Sequence, residues 1–196
     1  MLSACNLTLR KGDRLLLEQL SLQVAPGEAW IVLGENGAGK SSLLAALAGW
    51  DRPAAGDVLL DDVPIGLLPR RQRARRLAWH MQQDEASFPL PVLERVLAGR
   101  FPHLGFWATP DTHDRQLAQA TLARLDLLGL ADHDMTTLSG GERRRVGLAA
   151  ALVQESDYLL LDESLSQLDV RHQQQALTVL RGEREAGRGI VLVTHD

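Results

Sequence analysis

The chain has few of the features that would narrow its function early. Among its 196 residues there is one cysteine, Cys5. That excludes an internal disulfide and any multi-cysteine metal cluster, and it fits a reducing compartment. No apolar run approaches the roughly 18 residues needed to cross a bilayer. The N-terminal stretch MLSACNLTLRK has no apolar signal-peptide core. Both absences point to a cytoplasmic protein that meets a membrane only through a partner. An excess of basic charge is also missing. The formal net charge is −4, whereas a general nucleic-acid binder carries a basic footprint. The one basic run, RRQRARR at residues 70–76, reads as a solvated helix face. There is no internal repeat and no low-complexity linker. What remains is an ordinary soluble composition, 45% hydrophobic and 23% charged, in a chain long enough for one domain with a substantial core.

The patterning is that of an α/β domain. Leu7 and Leu9, then Leu20, Leu22 and Val24, recur with the two-residue period of strands, and the turns at 11–13 and 26–27 punctuate them. AWIVLG reads as a short buried strand, as does GIVLVTHD at residues 189–196. GDVLLDDVPI predicts a short strand pair, RLAWHM a strand entering the core, and residues 39–49 a helix. From 91 to 153 the pattern is mostly helical, with Leu117, Ala120, Leu122, Leu125 and Leu128 spaced along one face. Buried strands alternating with helices predict a parallel sheet. The organisation expected is a core, 1–82 and 154–196, interrupted by a helical insert at about 83–153.

Two local motifs carry chemistry. GENGAGKS, residues 34–41, fits G-x-x-x-x-G-K-[ST] and stands where that loop must stand, after a strand and opening a helix. Its glycines let backbone N–H groups turn toward phosphates, and the helix N-terminus adds positive potential. Gly34, Glu35, Asn36, Gly37, Ala38, Gly39, Lys40, Ser41 and Ser42 form the candidate nucleotide loop. Lys40 would neutralise the β- and γ-phosphates and Ser41 would ligate Mg²⁺. YLLLDE supplies the second half: Asp162, at a strand end, would hold Mg²⁺ through water, and Glu163 would accept a proton from the attacking water. A third stretch, LSGGE, has no strand feeding it, so it cannot build the same cradle. Ser139, Gly140, Gly141 and Glu142 still form a glycine-rich helix start, with a capping box between Ser139 and Glu142. Since the first loop already surrounds a nucleotide from one side, this second start is expected to cap the γ-phosphate of a nucleotide held by another copy of the chain.

Phosphate loop, LSGGE, LLLDE and a final histidine, in that order, resemble the ATP-binding subunit of an ATP-binding-cassette (ABC) transporter, and the resemblance covers essentially the whole chain. It implies the corresponding fold: a phosphate-loop core with a parallel sheet, an N-terminal antiparallel β subdomain and a helical insert. It further implies ATP and Mg²⁺ as cofactors and a homodimer. The partners implied are membrane permease subunits and, indirectly, a substrate-binding protein, at the cytoplasmic face of the inner membrane. By the same resemblance Gln82 in HMQQ, with Gln83 as the lesser candidate, would contact Mg²⁺ and the nucleophilic water. His195 would contact the γ-phosphate, and the loop from Ser166 to Asp169 would cross the dimer interface. VLAGRFPHLG and LSGGERRRV are similar to the importer branch that handles metal chelates: iron–siderophores, haem and cobalamin.

Three departures from that family stand out. Arg10 or Lys11 occupies the place of the aromatic residue that usually stacks on adenine. Ser164, Leu165 and Gln167 replace the usual proline, threonine and histidine after the catalytic acid. The chain stops just past the switch histidine, so the last strand is expected to lack its cover and expose an edge or apolar face. These departures keep open a nucleotide-binding protein without transport turnover. A soluble ABC ATPase of translation or DNA repair would need two cassettes or a long coiled coil, and neither is visible.

Overall fold

The computed structural model describes residues 1–82, 89–105, 107–166 and 168–195. Two four-stranded sheets organise them. The first is antiparallel and is built from the alternating N-terminal stretch. Strands β1 (Leu2–Lys11), β2 (Arg14–Val24), β4 (Ala55–Leu60) and β5 (Val63–Pro64) lie in the order β2-β1-β4-β5. The second is parallel: β3 (Ala29–Leu33), β6 (Leu77–His80), β7 (Tyr158–Asp162) and β8 (Gly189–Thr194) lie in the order β3-β8-β7-β6. Six α-helices are described: α1 (Lys40–Leu47), α2 (Arg70–Arg76), α3 (Val92–Leu97), α4 (Thr112–Arg124), α5 (Gly140–Leu152) and α6 (Val170–Glu185). No helix among the described residues is long and apolar enough to cross a membrane.

The alternation of side chains along β7 and β8 divides the molecule into two cores. Leu159 and Leu161, with Ile190 and Leu192, face the insert helices and α6. They pack with Val96, Leu122, Leu148 and Ala176. Leu160, with Val191 and Val193, faces the other way and packs with Leu44 and Leu47 of α1 and with Leu7 and Leu60 of the antiparallel sheet. Helices α3, α4, α5 and α6 therefore share one continuous apolar core with a face of the sheet. Each of these fully buried leucines contributes on the order of 2 kcal/mol by removal from water.

Four details of the insert and the strands differ from the sequence expectation or refine it. AWIVL is an exposed edge rather than a buried strand: among the described residues β3 pairs with β8 alone, and Ile31 is 62% and Leu33 65% exposed. The uncovered strand is thus β3; β8 lies between β3 and β7 and is buried. On α4 the buried face runs through Asp114, Ala118, Thr121 and Leu122, continuing to Leu125, while Ala120 and Leu128 are exposed. The face is rephased because Asp114 is drawn inward by buried Arg100, whose Nε donates to Asp114 Oδ1 at 2.8 Å. Arg100 also donates to Val153 O at 2.9 Å and to Glu155 at 2.7 Å, tying the turn after α3 to the segment that follows α5. The basic run does form a helix with no buried residue, but it is not only solvated. Arg71 and Arg75 donate to Pro102 O at 2.9 and 2.7 Å, tying α2 to the segment after α3, and Arg76 bridges Asp61 and Asp157. Close approach explains one glycine of the VLAGRFP stretch: a Cβ on Gly99 would fall 2.2 Å from Ala150 O on α5.

Candidate functional site

The loop after β3 turns on two left-handed glycines, Gly37 at φ +80° and Gly39 at φ +94°. Gly39 is the N-cap position of α1, with no side chain capping it. A Cβ there would sit 3.0 Å from Leu16 Cβ of β2, so both backbone strain and space require glycine. The first N–H groups of α1 thus face the loop with no side-chain acceptor, the arrangement a phosphate seeks. Lys40 is buried and curls over the loop, Nζ donating to Gly34 O at 2.6 Å and Glu35 O at 3.0 Å. Arg14, at the start of β2, donates to Gly37 O at 3.3 Å. The exposed residues Arg10 and Lys11, expected near the base, belong to the same β1–β2 turn region.

The carboxylates stand at the end of the neighbouring strand. Asp162, 3% exposed, closes β7. Burial above all holds its carboxyl above its ordinary value. The hydroxyl of Ser41 hydrogen-bonds to it and pulls the other way, the Glu163 charge raises it further, and the Lys40 charge lowers it. Its Oδ1 is buried with no hydrogen-bond partner. A hydroxyl on one side of a buried carboxylate that keeps an unsatisfied oxygen is a donor set that fits Mg²⁺, a hard cation that prefers oxygen. Among the described residues no group of three His, Cys, Asp or Glu could hold a metal ion, so such an ion would need phosphate or water oxygens as well.

Glu163 follows in a left-handed backbone, φ +49°. Its N–H donates to Val193 O at 3.0 Å, and its carbonyl accepts from Ser166 N at 3.0 Å and Ser166 Oγ at 2.7 Å. Arg144 of α5 in turn donates to Ser166, to the carbonyl and, at 3.0 Å, to the hydroxyl. The Glu163 side chain lies between two of the expected partners. Gln82 Nε2 donates to Oε2 at 2.8 Å, and His195 Nδ1 lies 3.5 Å from Oε1. Gln82, Glu163 and His195 come from the ends of β6, β7 and β8, which adjoin in the sheet although the sequence separates them widely. Gln83 and Gln167 lie outside the described residues.

The LSGGE stretch does not join this cluster. Ser139 is the N-cap of α5, and the capping box is present: Glu142 N donates to Ser139 Oγ at 3.3 Å and Ser139 N to Glu142 Oε2 at 2.8 Å. Leu138 and Val146, flanking this helix start, belong to the core on the insert side of the sheet, whereas Leu43 and Leu44 of α1 belong to the opposite core. Within one chain the two glycine-rich starts are on different sides of the sheet. Asp169 caps α6, accepting from His172 N at 2.9 Å. Sequence reasoning missed Arg14, Arg144 and His80. Arg144 stands beside LSGGE and His80 begins HMQQ, while Arg14 is remote in sequence from the loop it touches. His80 Nδ1 lies 2.5 Å from Ser164 Oγ, and no spacing rule connects those positions.

Comparison with known proteins identifies the family and the fold. The pattern of the ABC transporter family matches residues 17–166. The chain is 41% identical to the hemin import ATP-binding protein HmuV of Pseudomonas entomophila, across 100% of this chain and 77% of that protein. It is 38% identical to the petrobactin import ATP-binding protein FpuD of Bacillus anthracis, across 97% of this chain and 70% of that one. Among solved structures, a dimeric bacterial ABC transporter cassette superposes with a TM-score of 0.89 at 28% identity, over 100% of this chain and 88% of that one.

Proposed function

The chain belongs to the ABC transporter family and is an ATPase of that fold, and from this premise we propose that it powers an importer of metal chelates such as iron–siderophore, haem or cobalamin. Relatives that import hemin and petrobactin support the cargo class. The observation that carries the catalytic reading is the Glu163 carboxylate held between Gln82 and His195 at adjoining strand ends.

In this reading the glycine-rich loop and the N-terminus of α1 hold the ATP phosphates, and Lys40 exchanges its loop carbonyls for β- and γ-phosphate oxygens. Ser41 and Asp162, with Gln82, would hold Mg²⁺, whose charge would neutralise that developing on the phosphates. Gln82 orients the water, Glu163 takes its proton as the water attacks the γ-phosphorus, and His195 donates to the γ-phosphate. The bond to the β–γ bridging oxygen breaks and leaves ADP and phosphate. Ser139, Gly140, Gly141 and Glu142 serve the ATP of a second copy, and Ser166 and Asp169 belong to the loop between the copies. The dimeric neighbour supports that assembly.

Coupling would run through a permease at the cytoplasmic membrane face, which in turn receives cargo from a binding protein. A groove of about 660 Å³ where core meets insert supports that reading. It is lined by Trp50, Trp79, Met81, Phe101, Arg70 and Arg73, and Trp50 is 70% and Phe101 62% exposed, an apolar patch of the kind that receives a partner. The test is steady-state ATP hydrolysis with Mg²⁺ by the wild-type chain beside Glu163→Gln. Turnover should vanish in the variant while ATP binding persists; normal hydrolysis would remove Glu163 from the role of base.

A further inference from the structure

Glu163 has a backbone conformation that L-residues rarely adopt, and such a residue persists only where its surroundings over-determine it. Much of what holds it is main chain: Val193 O on one side and Ser166 on the other. The next residue adds a side-chain tie. Ser164 is 1% exposed and its hydroxyl is 2.5 Å from Nδ1 of His80, itself 4% exposed. His80 ends β6, in register with Leu161 on β7. Gln82 comes two residues after His80, and Glu163 two residues after Leu161. The two strand ends are therefore joined twice over a very short length, by His80 to Ser164 and by Gln82 to Glu163. The first junction is wholly buried, so no water competes with it. The second is the one the reaction uses.

We propose that His80, acting through Ser164, is a positioning residue that fixes the Glu163 carboxylate and the Gln82 amide at the distance the attacking water requires. The proposal rests on Glu163 being the base. It gives a purpose to the serine that stands after the acid in place of proline. A proline would stiffen that point by its own ring and offers no hydroxyl; here the stiffness comes from a hydrogen bond to a neighbouring strand. Both side chains are buried and turned to each other, so ATP affinity should be indifferent to both, and only the chemical step should depend on them.

The experiment measures kcat and KM for ATP in Ser164→Ala, His80→Val and His80→Asn, with Glu163→Gln beside them. Asparagine keeps a hydrogen-bonding group near the place of Nδ1. Ser164→Ala and His80→Val should each lower kcat by about tenfold to a hundredfold with KM changed less than about twofold, the signature of a misplaced catalytic group. His80→Asn should recover most of the loss, and the double variant Ser164→Ala with His80→Val should be no slower than its slower parent, because one bond has been removed twice. Wild-type kcat in Ser164→Ala overturns the proposal. So does a His80→Asn variant as slow as His80→Val, since ring packing would then be the whole effect. If His80→Val does not fold, Ser164→Ala and His80→Asn still decide. Turnover in Glu163→Gln would sink the base itself, whereas a dead Glu163→Gln beside an unimpaired Ser164→Ala would sink the positioning role alone.

Discussion

Two helices in this chain begin with glycines, and they begin in opposite ways. Helix α1 follows β3 after the loop at 34–39, its N-cap Gly39 is left-handed, and no side chain caps it. Helix α5 is capped by its own residues: Ser139 and Glu142 exchange hydrogen bonds and take up one orphan donor each. The first start is complete only with an external anion, whereas the second is stable alone and keeps the N–H groups of Gly140 and Gly141 outside the box. An open start suits tight enclosure of one nucleotide. A self-capped start suits a contact that is made and broken as two copies close and part.

The comparison can be broken at either end. Lys40→Ala removes the cation from the open start and should lower turnover by on the order of a hundredfold or more, as loss of one charge-stabilising donor does; ATPase assays check this. Ser139→Arg places a bulky cation at the self-capped start. It should abolish the ATP-dependent dimer, read by light scattering in the Glu163→Gln background, while one copy still binds ATP. A dimer in that variant would refute the service of one copy to the other.

Helix α4 sharpens the contrast as a third start with no glycine. Asp111 and Asp114 form its capping box, and Asp114 also pairs with Arg100. Burial raises the Asp114 carboxyl, but hydrogen bonds from Arg100 and from the Asp111 backbone, with the Arg100 charge, outweigh it and leave it below its ordinary 3.8. A depressed carboxylate contributes stability that is present above its ordinary value and lost as pH falls through the lowered one. This pair should therefore contribute the same stability across neutral pH and lose it only in strong acid. Asp114→Asn should cost about 1.5–3 kcal/mol and remove that acid limb, because Arg100 loses its buried charge partner and keeps only Glu155 and Val153 O; denaturant melts at two pH values measure both. The smallest effect belongs to Ser139→Ala, which should cost about 1 kcal/mol of stability through the lost cap.

What the sequence made legible was local. The glycine turn at 34–41 and the strand end at Asp162–Glu163 are read from spacing, and Ser139 with Glu142 announces its box three residues apart. Exposure was not legible, because it depends on neighbours far along the chain. AWIVL has the composition of a central strand, and only its place at the edge of β3-β8-β7-β6 exposes Ile31 and Leu33. The face of α4 was misphased because counting apolar residues cannot find a buried aspartate, and Asp114 is inside on account of Arg100. His80 and Ser164 lie on different strand ends, and nothing in either local pattern joins them.

The pairing of β3 also bears on how the chain acquires its shape during synthesis. Ala29 finds its partner at Ile190, and among the described residues β3 has no other strand beside it. The strand that carries the nucleotide loop is thus made early and docked late, after nearly everything between has been translated and has closed one of the longest loops in the fold. Until then Trp30, Ile31 and Leu33 wait as an unpaired apolar ribbon. A nascent chain halted before residue 189 should therefore be the species that chaperones hold longest and that aggregates first.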